Sequence, residues 1–232
     1  MIKIHGFNKL TLLDYPEKMA ATIFLGHCNF RCPFCQNGGL VLNPDGEPVI
    51  PVEDVLKVLK KRQGLLDGVC ITGGEPTLHP DLPSFIASIK ALGYSVKLDT
   101  NGSRPEVLKS LVERQLIDYV AMDIKNSPQR YQETAGISHL DFDKIEESVQ
   151  FLKTDVVDYE FRTTVAKELH SSEDFRQIGK WIAGCKRYFL QNYRESDQVI
   201  SPVFSSYSRK ELVSFQKILR ETIDQVELRG VD

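Results

Sequence analysis

The chain has 232 residues, of which 41% are hydrophobic and 26% charged, an ordinary balance for a globular protein with a sizeable buried core. No apolar run approaches the about 20 residues that span a bilayer, and the opening MIKIHGFNKL lacks the apolar stretch of a secretory signal. Net charge is -3 with no one-sided basic block, so a cytoplasmic protein that binds neither membrane nor nucleic acid is expected.

Taken in chain order, short apolar strands alternate with amphipathic helices. A strand over 20–26 precedes a helical stripe of Val52, Val55, Leu56 and Leu59. A strand over 68–72 leads to Leu82, Phe85, Ile86 and Ile89 on one helix face. The strand 94–100 is followed by Pro105, suited to a first helical turn, with Val107, Leu108, Leu111 and Val112 behind it. After a strand over 119–124 come Ile145, Val149 and Leu152, and after 159–165 a Ser171–Asp174 capping box opens a helix carrying Phe175, Ile178 and Ile182. A sixth strand, 187–193, is followed by a tail helix over 208–222 bearing Leu212, Phe215 and Leu219.

This βα repetition predicts an α/β fold with parallel strands and right-handed crossovers. A closed eight-fold barrel usually needs about 250 residues, and only six units are visible, so a partial, open (β/α)6 TIM-like barrel is the expectation. One domain is expected over 1–232, with a barrel core at 18–195 and a C-terminal helical extension at 196–232.

Five cysteines do not pair evenly, and three of them fall within GHCNFRCPFCQNGG, directly after the first predicted strand. In a reducing compartment such a cluster points to metal or catalysis rather than disulfides. Cys28, Cys32 and Cys35 converge from one short loop. Iron–sulfur cubanes are usually held by four cysteines, so three local thiolates leave one iron open to a small molecule. Phe30 and Phe34 flank the ligands and limit water access. The competing reading is a structural zinc site, which would want a fourth Cys or His at a second pair. Cys70 and Cys185 stand alone, and Cys70 between Val69 and Ile71 reads as a small core residue.

Later strand ends are polar. CITGGEP carries Gly73 and Gly74, where backbone can approach a ligand closely, and Glu75, a carboxylate suited to an ammonium group. LDTNG puts Asp99, Thr100 and Asn101 at the next βα loop, and MDIK puts Asp123 and Lys125 on one side of a strand. Arg162, Thr164, Gln191 and Tyr193 add polar groups to otherwise apolar strands, where charge needs a partner. Parallel barrels build their sites at these C-terminal strand ends.

The CNFRCPFC segment, followed in order by GGEP, DTNG and MDIK, resembles the radical S-adenosylmethionine (SAM) enzymes and their glycyl-radical-enzyme activating branch. The opening GFNKLTLLDYPEKMAATIFLGHCNFRCPFCQN is most similar to activating proteins of anaerobic ribonucleoside-triphosphate reductases, with the pyruvate formate-lyase activating enzyme a near relative. The resemblance implies one 4Fe-4S cluster on Cys28, Cys32 and Cys35, with SAM on the open iron. It implies Phe34 near the adenine, and Gly73, Gly74 and Glu75 as the element receiving the SAM amino group. Asp99, Thr100 and Asp123 match positions that hold a monovalent cation beside the SAM carboxylate, and Lys125 matches a lysine near SAM. Asn101 joins the cofactor-binding set, with Arg162 and Gln191 as further candidates. The implied partners are a glycyl radical enzyme, anaerobic ribonucleotide reductase, and a low-potential electron donor such as flavodoxin or ferredoxin. Three departures stand out: His27 replaces the usual Gly before the first cysteine, Gln36 stands where His often follows the third, and Glu17 replaces the Gly that usually follows Asp-Tyr-Pro. Two other readings stay open, a radical SAM enzyme with a small-molecule substrate, such as a carboxy-deazaguanine synthase, and a non-enzymatic metal-binding module.

Overall fold

The computed structural model describes residues 2–231. In chain order the main elements are β1 (Ile4–Thr11), β2 (Ala20–Leu25), α1 (Gly38–Leu42), α2 (Val52–Lys61), β3 (Gly68–Gly73), α3 (Leu82–Lys90), β4 (Ser95–Thr100) and α4 (Pro105–Glu113). They continue with β5 (Tyr119–Asp123), α5 (Tyr131–Ala135), α6 (Phe142–Lys153), β6 (Asp158–Val165), α7 (Ser172–Trp181), β7 (Tyr188–Asn192), α8 (Arg209–Leu219) and β8 (Val226–Arg229). Among the described residues the strands form one eight-stranded sheet in the order β1 to β8. β1 is antiparallel to β2, and every later pair is parallel. The sheet is open, with β1 and β8 at its edges.

Strand alternation sorts the side chains. Val69 and Ile71, Val96 and Leu98, Val120 and Met122, and Tyr188 and Leu190 join the apolar core with Leu59, Ile86, Leu111, Val149, Ile178 and Leu219 from the helices. Each such Leu or Ile contributes about 1.5–3 kcal/mol through burial. The intervening positions, Cys70, Lys97, Asp99, Asp123, Glu160, Arg162 and Gln191, fall on the opposite face of the sheet. α7 opens on the expected capping box: Ser171 Oγ accepts from Asp174 N at 3.3 Å, and Asp174 Oδ2 accepts from Ser171 N at 2.9 Å.

All six expected strands form, within a residue or two of their expected bounds. β1 and β8 are additions. β1 hides from pattern reading because its register shifts between Ile4 and Gly6 and again between Asn8 and Thr11, which breaks the two-residue period. β8 lies in the segment expected to be helical beyond the barrel, and instead adds a seventh parallel strand after the six βα units. It is pinned by Arg229, whose two terminal nitrogens donate to Glu160 at 2.8 and 2.9 Å while its guanidinium lies 3.5 Å from the Phe189 ring centre. Four residues give too little pattern to expect a strand. α1 and α5, five residues each, are likewise too short for a helical period to show.

Candidate active site

A cavity of about 190 Å³ opens at the C-terminal ends of β2 to β6, lined by Cys28, Cys32 and Cys35 on one side and by strand-end polar groups on the other. The cysteines sit on the loop after β2. Cys35 N donates to Cys32 O at 3.0 Å, closing a tight turn. Phe30 N donates to Cys28 Sγ and Asn37 N to Cys35 Sγ, each at 3.4 Å, so two of the sulfurs already accept backbone bonds. Phe30 and Phe34 are buried and line the cavity.

Burial pushes the Cys28 thiol up to about 12, helped by the nearby Glu75 charge, and the Cys32 thiol up to about 11. Cys35 is raised by burial as well. Three thiols that resist ionisation need a strongly positive partner to become ligands. Among the described residues no three Cys, His, Asp or Glu side chains close on one metal ion. A cubane places each thiolate on a different iron, and three thiols spaced along one loop fit such a cluster.

The rim of the cavity is organised by Glu75, which is almost completely buried. Its Oε1 accepts from Thr77 N at 3.1 Å, from Thr100 Oγ1 at 2.8 Å and from Thr77 Oγ1, and its Oε2 accepts from Asn101 N at 2.7 Å. A carboxylate has about four acceptor positions, two on each oxygen; three donors crowd Oε1, and Oε2 takes one. Glu75 was expected to receive an ammonium group; in the structure it lines the cavity and also fastens the β3 and β4 loops together. Asn101 continues the rim, donating from Nδ2 to Asn29 Oδ1 at 2.9 Å beside Cys28. Gly73 and Gly74 bring the β3 loop against the cysteine loop: a Cβ on Gly74 would lie 1.9 Å from His27 O, and one on Gly73 2.3 Å from Leu25 O.

The floor is a ladder of charges. Asp99 pairs with Lys97 through Oδ1 and with an Arg162 terminal nitrogen through Oδ2 at 3.0 Å. Arg162 Nε donates to Asp123 Oδ1 at 2.6 Å, and Lys125 Nζ to Asp123 Oδ2 at 2.8 Å. The register explains the contacts, since Asp123 and Arg162 are cross-strand partners on β5 and β6. Burial opposes charge on all five groups, but their mutual attraction outweighs it, holding Asp99 and Asp123 below the usual carboxylate range and Lys97, Lys125 and Arg162 above theirs. The ladder therefore carries three positive and two negative charges.

The Radical SAM superfamily model matches residues 22–164, from β2 through β6. The chain belongs to the radical SAM superfamily. Membership implies a 4Fe-4S cluster and SAM. A protein of Methanocaldococcus jannaschii, named as a candidate glycyl-radical enzyme activating enzyme, is 33% identical over 236 residues, covering 99% of this chain and 96% of its own. The 7-carboxy-7-deazaguanine synthase of Neisseria meningitidis serogroup B is 35% identical over 106 residues, 46% of this chain and 43% of that enzyme. SuiB of Streptococcus suis bound to S-adenosylmethionine superposes with a TM-score of 0.67 at 15% identity, over 88% of this chain and 48% of its own; at that identity the likeness is one of fold.

In this radical SAM protein the two departures at glycine positions have a common backbone cause. Glu17 and His27 both adopt left-handed conformations, with φ of 60° and 62°, where glycine is the unstrained residue. The structure gathers the expected site residues around the cavity except Gln191, which sits on β7 beside Thr164 and Arg229, and Tyr193, which follows it; neither is part of the lining.

Sequence reading missed Lys97, whose only signal was a lysine inside the apolar run preceding Asp99. Cys70, expected as a small core residue, is fully buried, and its Sγ lies 3.6 Å from Asp99 Oδ1 and 3.7 Å from Lys97 Nζ. A further element without a sequence signal is the segment after β7. It straps the cysteine loop, with Ser201 N donating to Pro33 O at 2.8 Å, Ile200 N to Cys35 O at 3.2 Å, and Phe204 edge-on to Phe34.

Proposed function

We propose that this protein is a radical SAM activating enzyme that generates a glycyl radical on a partner enzyme, an anaerobic ribonucleotide reductase. The observation that carries the reading is the end-to-end likeness to the M. jannaschii protein, 99% of one chain against 96% of the other. Likeness to the deazaguanine synthase stops at 46% of the chain. The open sheet, whose edge strands do not meet, supports access by a protein loop.

Cys28, Cys32 and Cys35 hold the cluster, and Phe30 and Phe34 keep water from it. A 4Fe-4S cluster held there, reduced by a low-potential donor such as flavodoxin or ferredoxin, would supply the one-electron chemistry that cleaves SAM reductively to methionine and a hydrogen-abstracting carbon radical. Lys125 and Arg162 orient the SAM carboxylate, for which the floor's surplus positive charge is complementary. Phe34 lies against the adenine. Gly73 and Gly74 let the backbone carbonyls of the β3 loop approach the amino group. Glu75, Thr100 and Asn101 hold that loop in place.

The test incubates the reduced, cluster-loaded protein with SAM and the candidate reductase under anaerobic conditions. A glycyl-radical doublet in the electron paramagnetic resonance spectrum is expected, with deuterium from a Cα-labelled glycine recovered in 5′-deoxyadenosine. No protein radical, together with label transfer from a small cyclic metabolite, would replace this reading with the small-molecule one.

A further inference from the structure

The resemblance to the pyruvate formate-lyase activating enzyme implies a monovalent cation between Asp99 and Asp123, beside the SAM carboxylate. The residues present do not fit one. An alkali cation at this place would take carboxylate oxygens as ligands, yet each of the four already faces a cationic side chain. Asp99 Oδ1 faces Lys97 and Oδ2 faces Arg162; Asp123 Oδ1 faces Arg162 and Oδ2 faces Lys125. Three positive charges against two negative ones oppose the entry of a further cation.

Lys97 is the unusual member of this set. It is 1% exposed, and a lysine is almost never so completely buried unless paired. Its position follows from the strand: two residues before Asp99 on β4, it shares that residue's face, and in register it stands opposite Cys70 of β3. The ammonium thus reaches Asp99 from below while Arg162 reaches it from the β6 side. Lys97 does not line the cavity, so its charge acts on a ligand only through Asp99.

We infer that Lys97 is a built-in monovalent cation: its ammonium takes the place of an alkali ion at Asp99, so that ligand binding in this cavity does not depend on potassium or sodium. The inference rests on the reading of the cavity as a SAM site. Lys97 is a positioning residue, fixing Asp99 and through it Arg162.

Two measurements test this with the full chain. Equilibrium dialysis of SAM against cluster-loaded protein is carried out in KCl, NaCl and choline chloride at equal ionic strength. The wild-type dissociation constant should change by less than about twofold among the salts, whereas Lys97→Met should bind about tenfold more weakly in choline, as expected for loss of a charge-assisted bond, and recover in KCl or NaCl. The second measurement is thermal melting without cluster or SAM. Lys97→Met, or Lys97→Gln if the first variant does not fold, should melt higher in KCl or NaCl than in choline chloride, and wild type should not. Wild-type binding or melting that requires an alkali ion would overturn the inference. So would a variant that matches wild type in choline, or one weakened in a way no alkali ion relieves. If neither protein binds SAM, the functional reading fails, while the melting comparison still decides the role of Lys97.

Discussion

At the rim of the cavity a buried carboxylate is satisfied by uncharged donors, whereas on the floor two buried carboxylates are satisfied by three cations. Glu75 takes two backbone N–H groups and two threonine hydroxyls. Asp99 and Asp123 take Lys97, Arg162 and Lys125. The two arrangements have opposite electrostatic consequences: burial raises the Glu75 pKa, while the cations lower those of both aspartates. A set of bonds from uncharged donors fixes loops and brings no positive charge to the cavity. A ladder with surplus positive charge is rigid as well, yet still attracts an anion.

The division of labour can be broken by substitution. The largest effect sets the baseline: Cys32→Ala should abolish cluster loading, measured as iron per chain, while Cys185→Ala, remote from the cavity, should retain it. Full loading of the Cys32 variant would sink the assignment of the cysteine loop. Next comes the rim. In Glu75→Gln an amide NH₂ must face donors that a carboxylate accepted, costing about 3 kcal/mol of stability by urea unfolding and lowering cluster content. SAM affinity per loaded cluster should hardly change. The floor should behave in the reverse way. Lys125→Met should weaken SAM binding by about tenfold, the worth of one charge-assisted bond, with iron content near that of wild type. Equal losses of cluster and SAM in both variants would remove the distinction.

The pH dependence of stability sharpens the contrast, because the two regions titrate in opposite senses. The folded pKa values of Asp99 and Asp123 are depressed, so their contribution is complete above the unfolded value of about 3.9 and is lost as pH falls. The folded pKa of Glu75 is raised, so its contribution is complete below about 4.3 and is lost as pH rises through the folded value. Urea unfolding across this range should therefore show Asp123→Asn flattening the acid limb and Glu75→Gln flattening the loss on the rising side. Slopes changed in the same direction would contradict the assignments.

The smallest effect concerns backbone strain, at the cysteine loop for His27 and at the opposite, N-terminal end of β2 for Glu17. Glu17→Gly and His27→Gly should each be neutral or stabilising by up to about 1 kcal/mol, since relief of a left-handed conformation is partly offset by glycine's entropy. Gly74→Ala should instead be strongly destabilising, because its Cβ would meet His27 O at 1.9 Å. Melting temperatures of the three variants check this.

The sequence by itself determined the six inner strands, the long helices and the clustering of Cys28, Cys32 and Cys35, because period and spacing are local quantities written into consecutive residues. It also determined that polar groups stand at successive strand ends. Tertiary structure alone decided what those groups do. Glu75 reads in the sequence only as a carboxylate for a ligand; the structure adds that Thr77, Thr100 and Asn101 bond it, and two of those donors lie about 25 residues away. Lys97 and Cys70 looked like parts of apolar strands until the β3–β4 register set them opposite each other, beneath the cavity. β1 and β8 were invisible for a related reason: one is bulged and the other is four residues long, so neither carries a period, and only pairing with β2 and β7 makes them strands. Side-chain alternation is fixed within a strand, but which neighbour a side chain meets depends on the register between strands distant in sequence.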